Sequence, residues 1–230
     1  MKKLSLIIIT SLIFIILTIS ISFAIAIQKE HTHKEYVIID ASQKKVWDYL
    51  SDNSNAKMWS VFFDHISTLE STDSNVSEGG VGSVRRCFRN PNEQGISWDE
   101  ITVKAEPYHL RKIHTYNIQN WPVEDFNALE FDVYQTYEDL GGNKTKLSFI
   151  TNLKSPQTAY AKWLFYLAKW ETLRVFKVNL ENIKAHIEQG QALSYDRPHK
   201  WEPLTNGSLS QSPRSYGKNS PKSKPVDLNQ

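Results

Sequence analysis

Residues 155–190 read SPQTAYAKWLFYLAKWETLRVFKVNLENIKAHIEQG, and this stretch decides the fold. Apolar side chains recur every three or four residues along 163–187, which is the spacing of one face of an α-helix. Ser155 is a candidate N-cap, Pro156 suits the first helical position, and Gly190 is a typical stop signal. The pattern predicts one long amphipathic helix, whose aromatic face needs a large apolar partner.

The sequence before this helix predicts that partner, an antiparallel sheet. A β-prone run at 33–40 precedes two short helical segments, one at 41–50 and one containing Met58 and Trp59. Six further strand-like segments follow between turn residues, at about 65–72, 82–89, 96–105, 109–119, 127–138 and 144–153. The predicted class is therefore α+β, with about seven antiparallel strands in the order β-α-α-β-β-β-β-β-β-α.

The two ends of the 230-residue chain differ from this domain. Residues 4–27 carry no charge, and a helix of that length reaches about 36 Å, enough to cross a hydrocarbon core of about 30 Å. Residues 24–26 have the small-x-small pattern of a signal-peptide cleavage site, so a cleaved signal peptide is the alternative. The predicted organisation is a transmembrane anchor or signal peptide at 1–28, a globular domain at 34–190 and a disordered tail at 191–230. In both cases we expect the domain on the exported side of the membrane; a domain that faces the cytosol is the alternative.

Composition excludes several kinds of site. The chain is 40% hydrophobic and 23% charged, which is typical of a globular protein. The net charge is +2, and the basic tail leaves the body near neutral, so no electrostatic footprint for nucleic acid is expected. Cys87 is the single cysteine, which excludes an intrachain disulfide framework and a cysteine-rich zinc site. We predict no metal and no cofactor.

Several features resemble the SRPBCC superfamily, which comprises START lipid-transfer domains, polyketide cyclases/dehydrases and birch-pollen-type allergens. These features cover roughly 34–188. The first are Ile39-Asp40-Ala41-Ser42 and the run Val46-Trp47-Asp48-Tyr49-Leu50-Ser51-Asp52 with Trp59. The later ones are Gly80-Val81-Gly82-Ser83-Val84-Arg85-Arg86, Trp98-Asp99-Glu100, Glu106-Pro107 and the long helix after Ser155-Pro156. The resemblance implies a helix-grip fold, in which a curved antiparallel sheet wraps the C-terminal helix and leaves a cavity for a hydrophobic ligand.

Aromatic residues concentrate where such a cavity would form. Clefts with aromatic and aliphatic linings and a few polar groups are typical small-molecule sites. The alternative for each ring is plain core packing. The candidate lining residues are Trp59, Phe62, Trp98, Tyr116, Trp121, Phe131, Phe149, Trp163, Tyr166 and Trp170.

Four polar residues are candidates for ligand orientation or acid–base chemistry: Arg86, Asp99, Glu100 and His114. Strand alternation leaves two arrangements open. If Ile101 and its apolar neighbours face inward, the side chain of Asp99 points into the cavity. If Trp98 faces inward, the side chain of Glu100 points into the cavity instead. A buried carboxylate needs a partner, which Arg86 or His114 could supply. The alternative is a solvated face of the sheet.

These features favour a membrane-anchored, non-enzymatic carrier of a hydrophobic small molecule, such as a lipid or a polyketide-like compound. The absence of a recognisable catalytic motif supports this prediction. One alternative is a cyclase/dehydrase-type enzyme that uses the acid–base residues of the same cavity. Another is an assembly or chaperone-like module that holds a protein partner. All three depend on the analogy of fold.

Overall fold

The computed structural model describes residues 2–28, 32–69 and 79–190; the predicted tail and the end of the predicted 65–72 strand lie outside them. The helices are α1 (Lys2–Gln28), α2 (Gln43–Ser51), α3 (Ala56–Trp59), α4 (Ala159–Leu167) and α5 (Lys169–Gln189). The strands are β1 (Thr32–Ile39), β2 (His65–Thr68), β3 (Val84–Phe88), β4 (Ser97–Glu106), β5 (Leu110–Gln119), β6 (Glu130–Gly141) and β7 (Lys144–Ser155). The predicted element order is confirmed, except at the C-terminal helix.

All seven strands form one antiparallel sheet in the order β1-β7-β6-β5-β4-β3-β2. Consecutive strands are neighbours, apart from β1, which pairs with the last strand. The register places the start of β1, the end of β7 and the end of β5 together at one end of the sheet, which we call the α1 end because α1 leads into it. The β6–β7 hairpin, with positive φ at Gly141, Gly142 and Asn143, marks the opposite end.

The C-terminal helix is two helices rather than the predicted one. Ser155 is the last residue of β7 and pairs with Glu130, so the strand extends through the predicted N-cap. Thr158 caps α4 instead, and its hydroxyl accepts the Ala161 N–H at 3.1 Å. The helix is interrupted at Ala168, and the chain continues as α5. Gly190, with a φ of 70°, follows the last residue of α5 and ends the helix as predicted.

The two helices on either side of Ala168 pack against different parts of the domain. The buried side of α4 joins a small apolar cluster with Leu129 and Leu153. The α5 helix contributes Leu180, Ile183 and Ile187 to the main core, which it shares with the sheet and with α2 and α3. The sheet therefore has an inner face, covered by α5, and an outer face that points away from it.

The N-terminal helix contains a 20-residue span, Ile7–Ala26, that is long and apolar enough to cross a membrane by length and composition. Along residues 7–21 every side chain is exposed. Near its C-terminal end α1 packs on α4, and Ala26 is buried there. The coarse prediction of one N-terminal apolar helix is confirmed.

Candidate functional site

Aromatic rings fill much of the space between the inner face of the sheet and α5. The Trp59 ring centroid lies 5.5 Å from that of Phe63 and 6.2 Å from that of Phe149. Phe63 is in turn 5.9 Å from Trp98, and all four side chains are buried. Edge and tilted contacts at these distances are favourable and add to the free energy of burial. The interior is therefore apolar and aromatic.

The same network continues to the surface at the α1 end of the sheet. Phe62 lies 5.0 Å from the buried Trp98 ring and 5.8 Å from Trp121, which stacks on Phe126 at 5.6 Å. Phe62, Trp121 and Phe126 are half-buried. We call these three residues the aromatic rim, because they connect the closed interior with solvent.

The inner face also carries an ion pair beside the rings. Trp98 is buried next to Cys87, its partner across the β3–β4 ladder, so alternation points Glu100 inward as well. Glu100 accepts hydrogen bonds from Arg85 Nε at 2.8 Å and from Trp98 Nε1 at 2.9 Å. Arg85 also donates to Asn53 Oδ1. Of the two arrangements that the sequence left open, the structure adopts the one with Trp98 and Glu100 inside.

A second polar group on the inner face is Arg111, which is only 2% exposed. Its Nη1 donates to the Leu50 carbonyl at 3.1 Å and to Gln135 Oε1 at 3.2 Å, and its Nη2 donates to the Ser51 hydroxyl. The guanidinium carbon lies 4.2 Å from the centre of the Trp47 ring.

No carboxylate among the described residues pairs with Arg111, and its Nε lacks a hydrogen-bond acceptor there. Burial lowers the pKa of Arg111, since the charged form is poorly solvated. Burial also raises the pKa of the neighbouring Tyr137 to about 12. The interior thus holds a cation with unused hydrogen-bonding capacity.

The other polar candidates lie on the outer face of the sheet. Arg86 Nε and Nη2 donate to the two carboxylate oxygens of Asp99 at 2.6 and 2.8 Å, and Asn117 Nδ2 donates to Asp99 at 2.6 Å. The hydrogen bonds to Asp99 raise the pKa of Arg86. Asp99 is 3% exposed although it faces away from α5, because these partners cover it. The bidentate pair stabilises the sheet from outside.

His114 lies further along the same outer face. Its Nδ1 is 3.1 Å from Asp132 Oδ1, and Lys112 Nζ is 2.8 Å from the second oxygen of that carboxylate. The imidazole stacks on Tyr116 at 5.6 Å. The structure therefore does not gather the four polar candidates in one place: Arg86, Asp99 and His114 are outside and Glu100 is inside.

The ten aromatic candidates also divide by position. Trp59, Trp98 and Phe149 are in the core, and Phe62, Trp121 and Phe131 pack half-buried against it. Tyr116 is on the outer face, Tyr166 is half-buried on α4, Trp163 contacts α1, and Trp170 is 81% exposed. Strand alternation on β5 points Tyr116 outward, α4 with Trp163 and Tyr166 packs beside α1 and a separate small cluster, and Trp170 in the first turn of α5 faces solvent.

Sequence reasoning missed several interior residues. Phe63 and Phe176 belong to the aromatic network, and Arg85, Arg111 and Gln135 supply polar groups. Alternation along β5 could have revealed Arg111, since it shares its face with the buried Ile113. Its role depends on the position of α2, which the sequence pattern does not give.

Two further observations concern other possible binding sites. A polar cleft of about 310 Å³ lies at the hairpin end of the sheet, away from the rings, and is lined by Ser42, Gln43, Lys44, Tyr108, Asp139, Gly141, Gly142 and Asn143. Within residues 2–28, 32–69 and 79–190, no three His, Cys, Asp or Glu side chains are grouped so that they could hold a metal ion.

A seven-stranded antiparallel sheet against a long C-terminal helix, with an aromatic interior, defines a helix-grip protein. No family model and no curated protein matches the sequence. Solved structures do match, so the fold that the sequence resemblance implies is confirmed.

DynU16, a protein in the dynemicin biosynthetic locus, matches over 73% of this chain at 15% identity and a TM-score of 0.52, and this chain covers about half (51%) of its length. A protein from Arthrobacter aurescens matches over 72% of this chain and 91% of its own, at 17% identity and a TM-score of 0.50. Truncated norcoclaurine synthase from Thalictrum flavum has 15% identity and a TM-score of 0.48, over 69% of this chain and 93% of its own. Because 267 solved chains match, the fold does not select one activity.

Proposed function

We propose that the protein is a membrane-anchored binder or carrier of a hydrophobic small molecule, such as a lipid, held in the interior of the helix grip. One observation carries the proposal: the aromatic network runs without a gap from the buried Trp59 to the half-buried rim of Phe62, Trp121 and Phe126. An apolar ligand that enters at the rim would meet aromatic surface throughout. Removing ligand surface from water contributes about 25 cal/mol per Å².

The position of the rim supports a membrane source for the ligand. The rim lies near the end of β5 and the start of β6, which is the α1 end of the sheet. If α1 spans the bilayer, the rim lies on the side of the domain that faces it. A lipid would then have a short path between bilayer and interior.

Polar groups on the inner face would orient the head of such a ligand. Glu100 and Arg85 form one pair, and Arg111 retains an unpaired Nε. Pockets of this kind use a few polar groups for specificity, while apolar contact supplies most of the affinity. These groups favour an amphipathic ligand over a plain hydrocarbon.

Native mass spectrometry of the full chain extracted from its own membranes tests the proposal. We expect a retained hydrophobic molecule on the wild-type protein and on Tyr36→Ala, a control that changes an exposed ring of β1. The double variant Phe62→Ala/Trp121→Ala should lose it, because two of the three rings of the rim are removed.

A second assay uses delipidated protein and a fluorescent fatty acid, measured against detergent micelles without protein. Uptake by the wild-type chain should exceed that of the double variant at least about tenfold, which corresponds to 1.4 kcal/mol. A wild-type protein that retains no molecule and takes up no probe would contradict the proposal.

A further inference from the structure

An exposed aromatic stripe crosses the junction of α4 and α5. Tyr160, Trp163 and Leu167 are three or four residues apart and share one face of α4, and Trp170 follows three residues later, in the first turn of α5. We call these four residues the α4–α5 surface. Tyr160 is 46% exposed, Leu167 49% and Trp170 81%. Large apolar side chains grouped in this way mark an interaction surface rather than ordinary solvent-facing residues.

Contacts with α1 fix where this surface lies relative to the apolar span. Trp163 Nε1 donates to the Ser22 hydroxyl at 3.2 Å, and its ring lies 6.1 Å from that of Phe23. Ser22 and Phe23 are in the last part of the span Ile7–Ala26. If the span crosses a bilayer, Trp163 therefore lies where the hydrocarbon core meets the head groups.

The rest of the α4–α5 surface lies close to that level. A helix rises about 1.5 Å per residue, so Leu167 is at most about 6 Å and Trp170 about 10 Å from Trp163 along the axis. The head-group region on each side of a bilayer is about 5–7 Å deep. If α4 lies along the membrane surface, its exposed side chains therefore lie within this region.

The chemistry of the segment fits the same environment. Trp and Tyr are enriched where membrane meets water, because their rings are apolar and their N–H and O–H groups are polar. Lys162 and Lys169 accompany the stripe, and long lysine side chains can reach from apolar surface to water and lipid phosphates. Within the described residues, Trp163 contacts α1 and the Tyr160 hydroxyl donates to Asp125 at 2.8 Å, while Leu167 and Trp170 stay exposed.

We infer that the α4–α5 surface rests in the head-group region of the bilayer. The domain is then held against the membrane by two elements, the span and this surface, and its orientation is fixed. The inference rests on the proposed membrane anchoring by α1, and it is independent of whether the interior binds a ligand.

Spin labels on single introduced cysteines test the inference in the full chain. The variants Leu167→Cys and Trp170→Cys carry the label on the α4–α5 surface, and Leu140→Cys carries it on the exposed hairpin at the opposite end of the sheet. The native Cys87 is fully buried and should not react. The protein is reconstituted in phosphatidylcholine vesicles with a minor fraction of phosphatidylglycerol.

We expect the labels at 167 and 170 to lose access to a water-soluble nickel complex and to gain access to oxygen, while the label at 140 stays accessible to nickel. Equal nickel access at all three positions, with the protein resistant to alkaline carbonate extraction, would overturn this inference and leave the anchor intact. If carbonate removes the protein from the vesicles, the anchoring proposal fails and this inference fails with it. Ligand retention is measured separately and decides neither result.

Discussion

Asp99 and Glu100 are neighbours in sequence but have opposite surroundings. Glu100 lies with Arg85 on the inner face, beside Asn53 and Trp98, whereas Asp99 lies with Arg86 on the outer face. Alternation in a strand makes the two side chains diverge, and only the buried Cys87–Trp98 pair decides which goes inside. The sequence could state both arrangements but not choose between them, because β4 carries apolar residues on both faces.

The outer ion pair should act on stability and not on ligand retention. Asp99→Asn leaves Arg86 without its bidentate partner, and breaking a buried pair of this kind costs about 3 kcal/mol in the free energy of unfolding. Denaturant unfolding measures the loss. Asp48→Asn, which breaks an exposed i,i+4 pair with Lys44, should leave the free energy of unfolding nearly unchanged. A folded Asp99→Asn protein that retains no ligand would instead indicate a role in the interior.

His65 should make the stability depend on pH. Its Nδ1 is 3.1 Å from Asp64 and its Nε2 is 3.3 Å from Glu93, and the hydrogen bond to Asp64 is the main cause of its raised pKa. The folded state therefore favours the protonated ring. This stabilisation is complete below pH of about 6.5 and is lost as the pH rises through the folded-state pKa.

Thermal unfolding at a series of pH values checks this expectation. The wild-type protein should lose stability above about pH 6.5, and His65→Gln should remove that part of the slope. Asp64→Asn should reduce the slope in the same sense, because it removes the principal hydrogen bond. An unchanged slope in His65→Gln would show that another group titrates.

At the scale of elements, α5 holds the aromatic interior in place through two asparagines. Asn179 Oδ1 accepts the Val61 N–H at 2.9 Å, and Asn182 Nδ2 donates to the Trp59 carbonyl at 3.1 Å. Both asparagines are buried. They fix the chain just after α3, which carries Trp59 into the core. The apolar periodicity of the helix was visible in the sequence, but these polar links were not, since they depend on a segment more than a hundred residues earlier.

Loss of Asn179 should therefore be costly. Asn179→Ala leaves a backbone N–H without its acceptor, which costs about 1–3 kcal/mol. Asn182→Ala should cost less, because Asn182 Oδ1 has no partner among the described residues and its removal relieves that penalty. Chemical denaturation compares the two variants. An equal loss for both would mean that side-chain volume, and not the hydrogen bond, dominates.

At the scale of the whole molecule, the sequence predicts the order of the elements, but it predicts the position of the site only in part. Turn residues and alternation delimit each strand locally, so seven strands and their sequence are predictable. The break at Ala168 is not, because Leu167, Trp170 and Leu173 continue the helical spacing through it. An unbroken helix predicts interior positions for Trp163 and Trp170, whereas in the structure Trp163 contacts α1 and Trp170 faces solvent.

The pairing of β1 with β7 has a consequence for biosynthesis. Ribosomes deliver β1 directly after the apolar N-terminal helix, but the strand it needs, β7, is among the last parts of the domain to be made. Contacts so distant in sequence form late and slowly. Until β7 is made, β1 has an open edge, and a chain truncated before Thr145 lacks every residue that pairs with β1.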